Sequence, residues 1–122
     1  VLHGPHLKNC LHAYTIDAME EIEAGIKALP RGSNERKQAS RMILGHSWDT
    51  EVDKDGRIVL PQRLRQQIGL STEATMVAMG DYFEIWDATT YARIEAAETE
   101  AFLQDMPEDF DPLTLIDPPG GA

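Results

Sequence analysis

Basic side chains gather around a glycine turn between residues 53 and 65, in a pattern suited to binding a polyanion. Arg57 directly follows Gly56. A turn through glycine carries little backbone bulk, so an arginine there can approach a nucleic-acid groove closely. A guanidinium can donate two parallel hydrogen bonds to O6 and N7 of guanine, a contact that provides about 1–3 kcal/mol of base discrimination. Arg57 is therefore a candidate base-reading residue.

Other side chains of this segment suit supporting roles. Lys54, Arg63 and Arg65 can bind phosphates, which fix the register of a protein on a duplex but read no sequence. Asp53 can hold the turn by accepting hydrogen bonds from backbone amides. Gly56 can adopt a positive φ without steric cost. We expect these residues to form one DNA-binding loop with its supporting turn.

The acidic neighbours of Arg57 leave a second interpretation open. In that interpretation Arg57 forms an ion pair with Asp53 or Asp55 and has only a structural role. Asp55 also lowers the positive charge at the turn, which reduces the affinity expected for a nucleic acid.

The charge distribution modifies what the net charge suggests. The 122-residue chain has a formal net charge of −10, which at first argues against a nucleic-acid partner. Residues 27–65, however, contain nine of the eleven Lys and Arg with five acids, whereas residues 66–122 contain one Arg and twelve acids. The basic charge therefore surrounds the glycine turn. Such a cluster is typical of a solvated helix face or of a nucleic-acid interface, and composition does not decide between them.

Composition also limits the class of protein. The length suits one domain with a modest core. The sequence contains no apolar run long enough to span a bilayer and no signal segment, so no membrane partner is expected. A single cysteine excludes an internal disulfide and fits a reducing compartment.

The sequence shows no pattern of a catalytic site. There is no Ser-His-Asp order, paired carboxylate signature or phosphate-binding glycine loop. An enzyme, and with it a small-molecule substrate, is therefore not expected. The residues His3, His6, Cys10 and His12 are possible metal ligands, but their spacing matches no closed ligand set. We therefore expect no metal site and no cofactor.

The elements before the basic segment are predicted to be a strand and two helices. A strand is expected at residues 7–14. Apolar residues recur at three- and four-residue spacing over 16–29, which predicts an amphipathic helix with Asp17 and Glu20 at its capped start. Ser33 can cap a second helix that reaches Leu44.

The basic segment itself is predicted to lie between strands and a helix. Alternation predicts a strand at 47–52, and a β-branched run predicts a second strand at 57–60, with the turn between them. Pro61 is expected at the first position of a helix that places Leu60, Leu64 and Ile68 on one face. Arg63 and Arg65 then point towards solvent or phosphate.

The remainder of the chain is predicted to be a hairpin, a helix and a tail. Gly69 followed by an apolar residue predicts a Schellman ending to the preceding helix. A hairpin is expected from strands 75–79 and 82–86 across Gly80-Asp81. Asp87 can cap a final helix that reaches about residue 104. Trp48 and Trp86 are expected to be core or subunit-contact residues.

These motifs together resemble a known family. The order Asp-x-x-Gly-Arg, three apolar residues, Pro and Leu-Arg at 53–65 resembles the repeat of AbrB-like (SpoVT/AbrB) swapped-hairpin DNA-binding domains. Two further segments, Tyr-Phe-Glu-Ile-Trp-Asp at 82–87 and Cys-Leu-His-Ala-Tyr at 10–14, resemble strands of one such family, the MraZ transcriptional regulators. The resemblance extends from about residue 8 to about residue 95.

The resemblance implies an α+β fold that contains half of an AbrB-like swapped-hairpin β-barrel with flanking helices. It implies four segments: the last strand of a first repeat (1–15), a helical linker (16–45), a second DNA-binding repeat with its C-terminal helix (46–105) and a disordered acidic tail (106–122). The family's earlier Asp-x-Lys-Gly-Arg repeat has no match here. We therefore expect the chain to lack most of the first repeat.

The resemblance also implies a function. It implies a sequence-specific transcriptional regulator that reads G-rich direct repeats in double-stranded DNA upstream of division and cell-wall genes. Such a protein would be cytoplasmic, nucleoid-associated and a homo-oligomeric ring. Asp55 stands where many members of that family have Lys, which lowers the affinity expected. The alternative is an oligomerisation or protein-interaction module that does not bind DNA.

Overall fold

The computed structural model describes residues 1–4 and 9–116. Strands and helices alternate irregularly along this part of the chain, in the order β1 (Leu2–His3), β2 (Cys10–Tyr14), α1 (Ile16–Lys27), α2 (Asn34–Ile43), β3 (Ser47–Trp48), α3 (Gln62–Gln67), β4 (Ala74–Ala78), β5 (Tyr82–Asp87) and α4 (Ala88–Leu103). Short 3₁₀ helices are formed by Leu44–His46 and Pro112–Ile116. Of the helices so described, none has the length and apolarity needed to cross a membrane.

The strands form one antiparallel sheet with the order β3-β1-β2-β5-β4. The predicted α+β class is confirmed. In the described part of the chain the sheet stays open and does not close into a barrel. The central pair is β2 and β5, in which Leu11 lies opposite Ile85. Both side chains are fully or almost fully buried. Because β2 pairs with β5, the centre of the sheet is built from segments far apart in sequence.

The hydrophobic core joins this sheet to the short helix that carries two of the candidate arginines. Leu2, Leu11 and Ile85 of the sheet pack with Leu64 and Ile68 of the α3 region. Burial of such side chains contributes roughly 1.5–3 kcal/mol each. The core therefore holds α3 against the sheet, as the predicted apolar face requires.

Side-chain caps begin both helices of the predicted linker. The Thr15 hydroxyl accepts a hydrogen bond from the Ala18 backbone N–H at 3.0 Å. The predicted capping by Asp17 and Glu20 is wrong, because Thr15 already occupies the extended N-cap position just before α1. The predicted cap of the second helix is confirmed, since Ser33 Oγ accepts from the Arg36 N–H at 3.2 Å.

Two predicted strands are much shorter or absent. Only Ser47–Trp48 of the strand expected at 47–52 pairs with a neighbour, and residues 57–60 form no strand within 1–4 and 9–116. The side chains of 58–60 nevertheless alternate as in a strand, because Ile58 and Leu60 pack against the core while Val59 is 80% exposed. An extended segment becomes a strand only when a neighbour completes the hydrogen-bonded ladder, and the described part of this chain provides none.

The start and end of α3 are close to those expected. Pro61 directly precedes the helix and occupies its N-cap rather than its first helical position. At the other end Gly69 has φ 64°, and the Leu70 N–H donates to the Arg65 carbonyl at 2.9 Å. The Gly69 N–H also donates to the Gln66 carbonyl at 3.1 Å. These two bonds define the predicted Schellman motif.

The predicted hairpin is confirmed as β4 and β5, and its turn is closed by a Met79 N–H bond to the Tyr82 carbonyl at 2.9 Å. Gly80 has φ 92° in this turn. Asp87 then caps α4, because its Oδ2 accepts from the Thr90 N–H at 3.1 Å. Its Oδ1 accepts from both the N–H and the hydroxyl of Ser71, which joins the segment after α3 to the end of β5.

The chain divides into two compact units, at residues 1–91 and 92–122. The first contains the sheet. In the second, the rings of Phe102 and Phe110 lie 6.0 Å apart, and Pro112–Ile116 forms a 3₁₀ helix inside the segment predicted to be a disordered tail. Residues 117–122 of that tail lie outside the described residues, as do residues 5–8, which include His6 and the start of the strand predicted at 7–14.

Candidate nucleic-acid interface

The glycine turn is a compact loop closed by backbone hydrogen bonds. The Asp53 N–H donates to the Arg57 carbonyl at 2.9 Å, and the Gly56 N–H donates to the Asp53 carbonyl at 3.0 Å. Gly56 has φ 77°, in the left-handed region. A turn that ends in a left-handed glycine is the common three-residue hairpin loop. The loop therefore has hairpin geometry although its flanking residues are unpaired within the described chain.

The side chain of Asp53 fixes this loop from inside. Its Oδ1 accepts hydrogen bonds from the Asp55 N–H at 2.9 Å and from the Arg57 N–H at 2.8 Å. A carboxylate that accepts two backbone bonds holds both amides in place. The backbone that carries Arg57 is thus positioned before any partner binds.

The two cationic side chains of the loop are exposed. Lys54 and Arg57 both lie at the surface, and within residues 1–4 and 9–116 neither forms a salt bridge. The Asp53 carboxylate contacts backbone amides instead, so the alternative in which Arg57 pairs with Asp53 or Asp55 is not what the structure shows. The Arg57 guanidinium is left available for a partner.

The other two candidate residues lie on the first turns of α3. Arg63 and Arg65 are exposed on either side of Leu64, which is buried in the core. Because each helical residue is rotated by about 100° from the last, these arginines project from opposite flanks of the helix. The two guanidinium groups therefore extend in different directions from the helix.

Trp48 adds an aromatic side chain beside Arg63. The Arg63 Cζ lies 6.0 Å from the centre of the Trp48 ring, at the outer limit of a cation–π contact. Trp48 is 40% exposed on the edge strand β3, so it is not a core residue in this chain, whereas Trp86 is buried as expected. The sequence alone does not link Trp48 to Arg63, because no local spacing connects an edge strand to a helix that begins after a loop.

A segment that packs against the core links the loop to α3. Lys54 and Arg57 share the turn, and the segment after it is anchored by Ile58 and Leu60 against the core. The helix with its arginines follows directly. The arrangement can present cationic side chains and a tight backbone turn to a polyanion, and it contains no nucleophile–base pair for catalysis among these residues.

A protein-family comparison matches this part of the chain. The family model described as "MraZ protein, putative antitoxin-like" matches residues 43–111. The match includes β3, the glycine turn, α3, the β4–β5 hairpin and α4.

Whole-chain relatives give the same family. The chain is 48% identical to a protein of Ruegeria sp. (strain TM1040) named Transcriptional regulator MraZ, over all of this chain and 73% of the relative. It is 47% identical to the protein of that name from Ruegeria pomeroyi, with the same coverage. The protein of that name from Cereibacter sphaeroides is 38% identical over 93% of this chain and 70% of its own length. The chain therefore belongs to the MraZ family.

Proposed function

We propose that this chain is a DNA-binding transcriptional regulator of the MraZ type. The relatives described above carry the name Transcriptional regulator MraZ, and the family is not one of enzymes. The observation that supports DNA binding most directly is the exposed Arg57 side chain on a turn whose backbone is fixed by Asp53. The turn 53–57 enters a groove of double-stranded DNA in this proposal.

Each candidate residue has a distinct role in the proposal. Arg57 donates two hydrogen bonds to a guanine, in the rigid planar geometry that a guanidinium has and a flexible ammonium lacks. Lys54 binds a phosphate beside the turn. Arg63 and Arg65 bind phosphates on the two flanks of α3. Asp53 and Gly56 touch no DNA and maintain the turn.

The proposed assembly is an AbrB-like swapped-hairpin barrel completed by a second repeat. Apolar side chains of the unpaired segment 49–60 and of the β4–β5 hairpin are exposed, with Val52 at 67%, Met76 at 58% and Phe83 at 47%. These three residues also line a mostly apolar cavity of about 440 Å³. An exposed apolar surface of this kind is typical of a contact site for another protein segment. Strands from another repeat would pair with residues 49–60 and cover it.

Several copies arranged in a homo-oligomeric ring would present several turns to one DNA molecule. One turn contributes few contacts, so binding by a single copy is weak. Linked turns raise the effective concentration of each for its site, which suits closely spaced direct repeats. We propose G-rich direct repeats upstream of division and cell-wall genes as the sites, and the cytoplasm, on the nucleoid, as the location.

The second candidate function is an oligomerisation or protein-interaction module that does not bind DNA. The exposed apolar residues and the cavity favour it, and so does the net charge of −10. The two functions differ in salt dependence. Phosphate contacts release counterions, so true DNA affinity falls steeply as salt rises, whereas apolar contacts between proteins do not weaken in that way.

The test is fluorescence anisotropy of the full chain with a duplex of G-rich direct repeats and a scrambled duplex of equal composition, over a salt series. Sedimentation velocity on the same samples reports the oligomeric state. The proposal predicts tighter binding to the repeats, with an affinity that falls as salt rises. No binding to either duplex, together with a stable oligomer, would instead support the interaction module, and equal binding to both duplexes would contradict sequence-specific reading.

A further inference from the structure

Three potential metal-binding side chains converge on the central strands of the sheet. Cys10 and His12 are two residues apart on β2 and therefore project from the same face. Glu84 lies on β5 directly opposite His12. One ligand atom from each of the three lies within 4.8 Å of the others. The structure thus brings together residues up to 74 positions apart in the sequence.

The separations between the ligand atoms suit one ion. Cys10 Sγ lies 4.0 Å from Glu84 Oε2, and His12 Nε2 lies 3.8 Å from the same oxygen. Zinc bonds of about 2.0–2.3 Å in tetrahedral geometry place neighbouring ligand atoms roughly 3.3–3.8 Å apart. Small side-chain rotations would therefore place an ion between the three groups.

Neighbouring side chains orient two of these ligands. The Trp86 Nε1–H donates to Glu84 Oε1 at 3.3 Å, and the Tyr14 hydroxyl lies 3.2 Å from His12 Nδ1. Glu84 thus makes its outer contact through Oε1 and His12 through Nδ1, whereas Glu84 Oε2 and His12 Nε2 face the cluster. Metal sites in proteins commonly use outer contacts of this kind to orient their ligands.

A fourth potential ligand lies on the adjacent strand. His3 of β1 is paired with His12, and the two ring centres are 6.3 Å apart. His3 is 6% exposed, and its Nδ1 has no hydrogen-bond partner among the described residues. An unpartnered buried nitrogen is costly, and coordination would remove that cost.

We propose that Cys10, His12 and Glu84 form a zinc-binding site, with His3 as its fourth ligand. Sulfur, imidazole and carboxylate donors together are typical of zinc. Zinc binding forms the Zn–S bond and releases the thiol proton of Cys10 to solvent. The His12 and Glu84 side chains keep 17% and 19% exposure, so an ion can enter from solvent although Cys10 is buried. The bound ion would join β1, β2 and β5.

Cobalt spectroscopy of the full chain provides the first test. After chelator treatment, the chain is titrated with Co²⁺ and then with Zn²⁺. One equivalent of Co²⁺ should give a thiolate-to-cobalt charge-transfer band, because Cys10 is the chain's single cysteine. Zn²⁺ should abolish the band and raise the melting temperature. Absence of the band, or of stoichiometric binding, would overturn the proposal without requiring any variant to fold.

Variants identify the ligands. Zinc affinity is measured by competition with a chromophoric chelator for Cys10→Ser, Glu84→Gln and His3→Gln, with Glu98→Gln on the exposed face of α4 as the carboxylate control. Each of the first three should weaken binding by at least about 10-fold, since even outer-shell partners contribute that much. The control should bind as the parent chain does. Unchanged affinity in Cys10→Ser or Glu84→Gln would place the metal elsewhere, and unchanged affinity in His3→Gln would exclude the fourth ligand.

Discussion

The Asp53 carboxylate accepts a hydrogen bond from the backbone N–H of Arg57 at 2.8 Å and forms no ion pair with its guanidinium among the described residues. One residue therefore fixes the backbone of the other and leaves its charged group exposed. This relationship separates the structural part of the turn from the part proposed to read DNA. It also means that the two parts can be tested by different substitutions.

The hydrogen-bonding role of Asp53 can be separated from its charge. Asp53→Asn and Asp53→Ala both remove one negative charge, but only Asn keeps an oxygen that can accept the two amide bonds. We expect Asn to bind DNA at least as well as the parent chain and Ala to bind more weakly than Asn, because the turn is less ordered. DNA titrations of the two variants at one salt concentration measure the difference. Equal affinities would show that the turn needs no side-chain support.

Gly56 should resist substitution for a conformational reason. Its φ is 77°, and an added Cβ would meet no atom within 4 Å, so the cost of Gly56→Ala arises from backbone strain alone. We expect a loss of about 1–2 kcal/mol of unfolding free energy. Gly25 in α1 is the matched control, because a Cβ there also meets no atom within 4 Å and Gly25→Ala should stabilise the helix by roughly 0.5–1 kcal/mol. Urea unfolding of both variants should give opposite signs, and the same sign would contradict this account.

Asp87 should make the stability of the sheet unit depend on acid pH. Hydrogen bonds from the backbone N–H groups of Ser71 and Thr90 lower the pKa of Asp87 below its usual 3.8. Its stabilisation is therefore complete above that usual value and is lost as pH falls through the lowered pKa. Asp87→Asn should unfold at lower urea than the parent chain at neutral pH, with a difference that shrinks in strong acid.

The control for Asp87 is an exposed carboxylate, Asp105, changed to Asn. This variant should unfold at nearly the same urea concentration as the parent chain at both pH values. A stability difference for Asp87→Asn that stays constant from neutral to strongly acid pH would contradict the assigned role of its charge.

Local features of the fold could be predicted where the sequence determines them by itself. Ser33 caps α2, Gly69 forms the Schellman ending and Gly80 turns the β4–β5 hairpin, as expected. Each of these depends on a residue type and its immediate neighbours. The predicted cap of α1 is wrong, because the acids Asp17 and Glu20 lie inside the helix whereas Thr15 holds the N-cap position.

Features that depend on distant partners could not be predicted. Residues 57–60 have the β-branched composition of a strand but lack a pairing neighbour in the described chain, and composition cannot show whether one exists. β1 was missed because Leu2–His3 is too short to carry a pattern. The sequence does not associate Glu84 with Cys10 and His12, because only the pairing of β2 with β5 brings it to them.

The candidate interface was predictable in its residue types but not in its surroundings. The Gly-Arg turn and the arginines of the following helix were identified from sequence. The contact between Trp48 and Arg63 was not, since it depends on how β3 packs beside α3.

The central claim is that Arg57 reads guanine, and three substitutions on one pair of duplexes test it most directly. The measurement is anisotropy with G-rich direct repeats and a scrambled duplex for Arg57→Ala, Arg57→Lys and Arg93→Ala, an exposed arginine of α4 that matches the charge change. Loss of one bidentate contact, worth about 1–3 kcal/mol, should reduce discrimination by roughly 5- to 150-fold. Arg57→Ala should lose that preference, Arg57→Lys should keep only part of it while retaining more non-specific affinity than Ala, and Arg93→Ala should keep it in full. Preserved preference for the repeats in Arg57→Ala would contradict the claim.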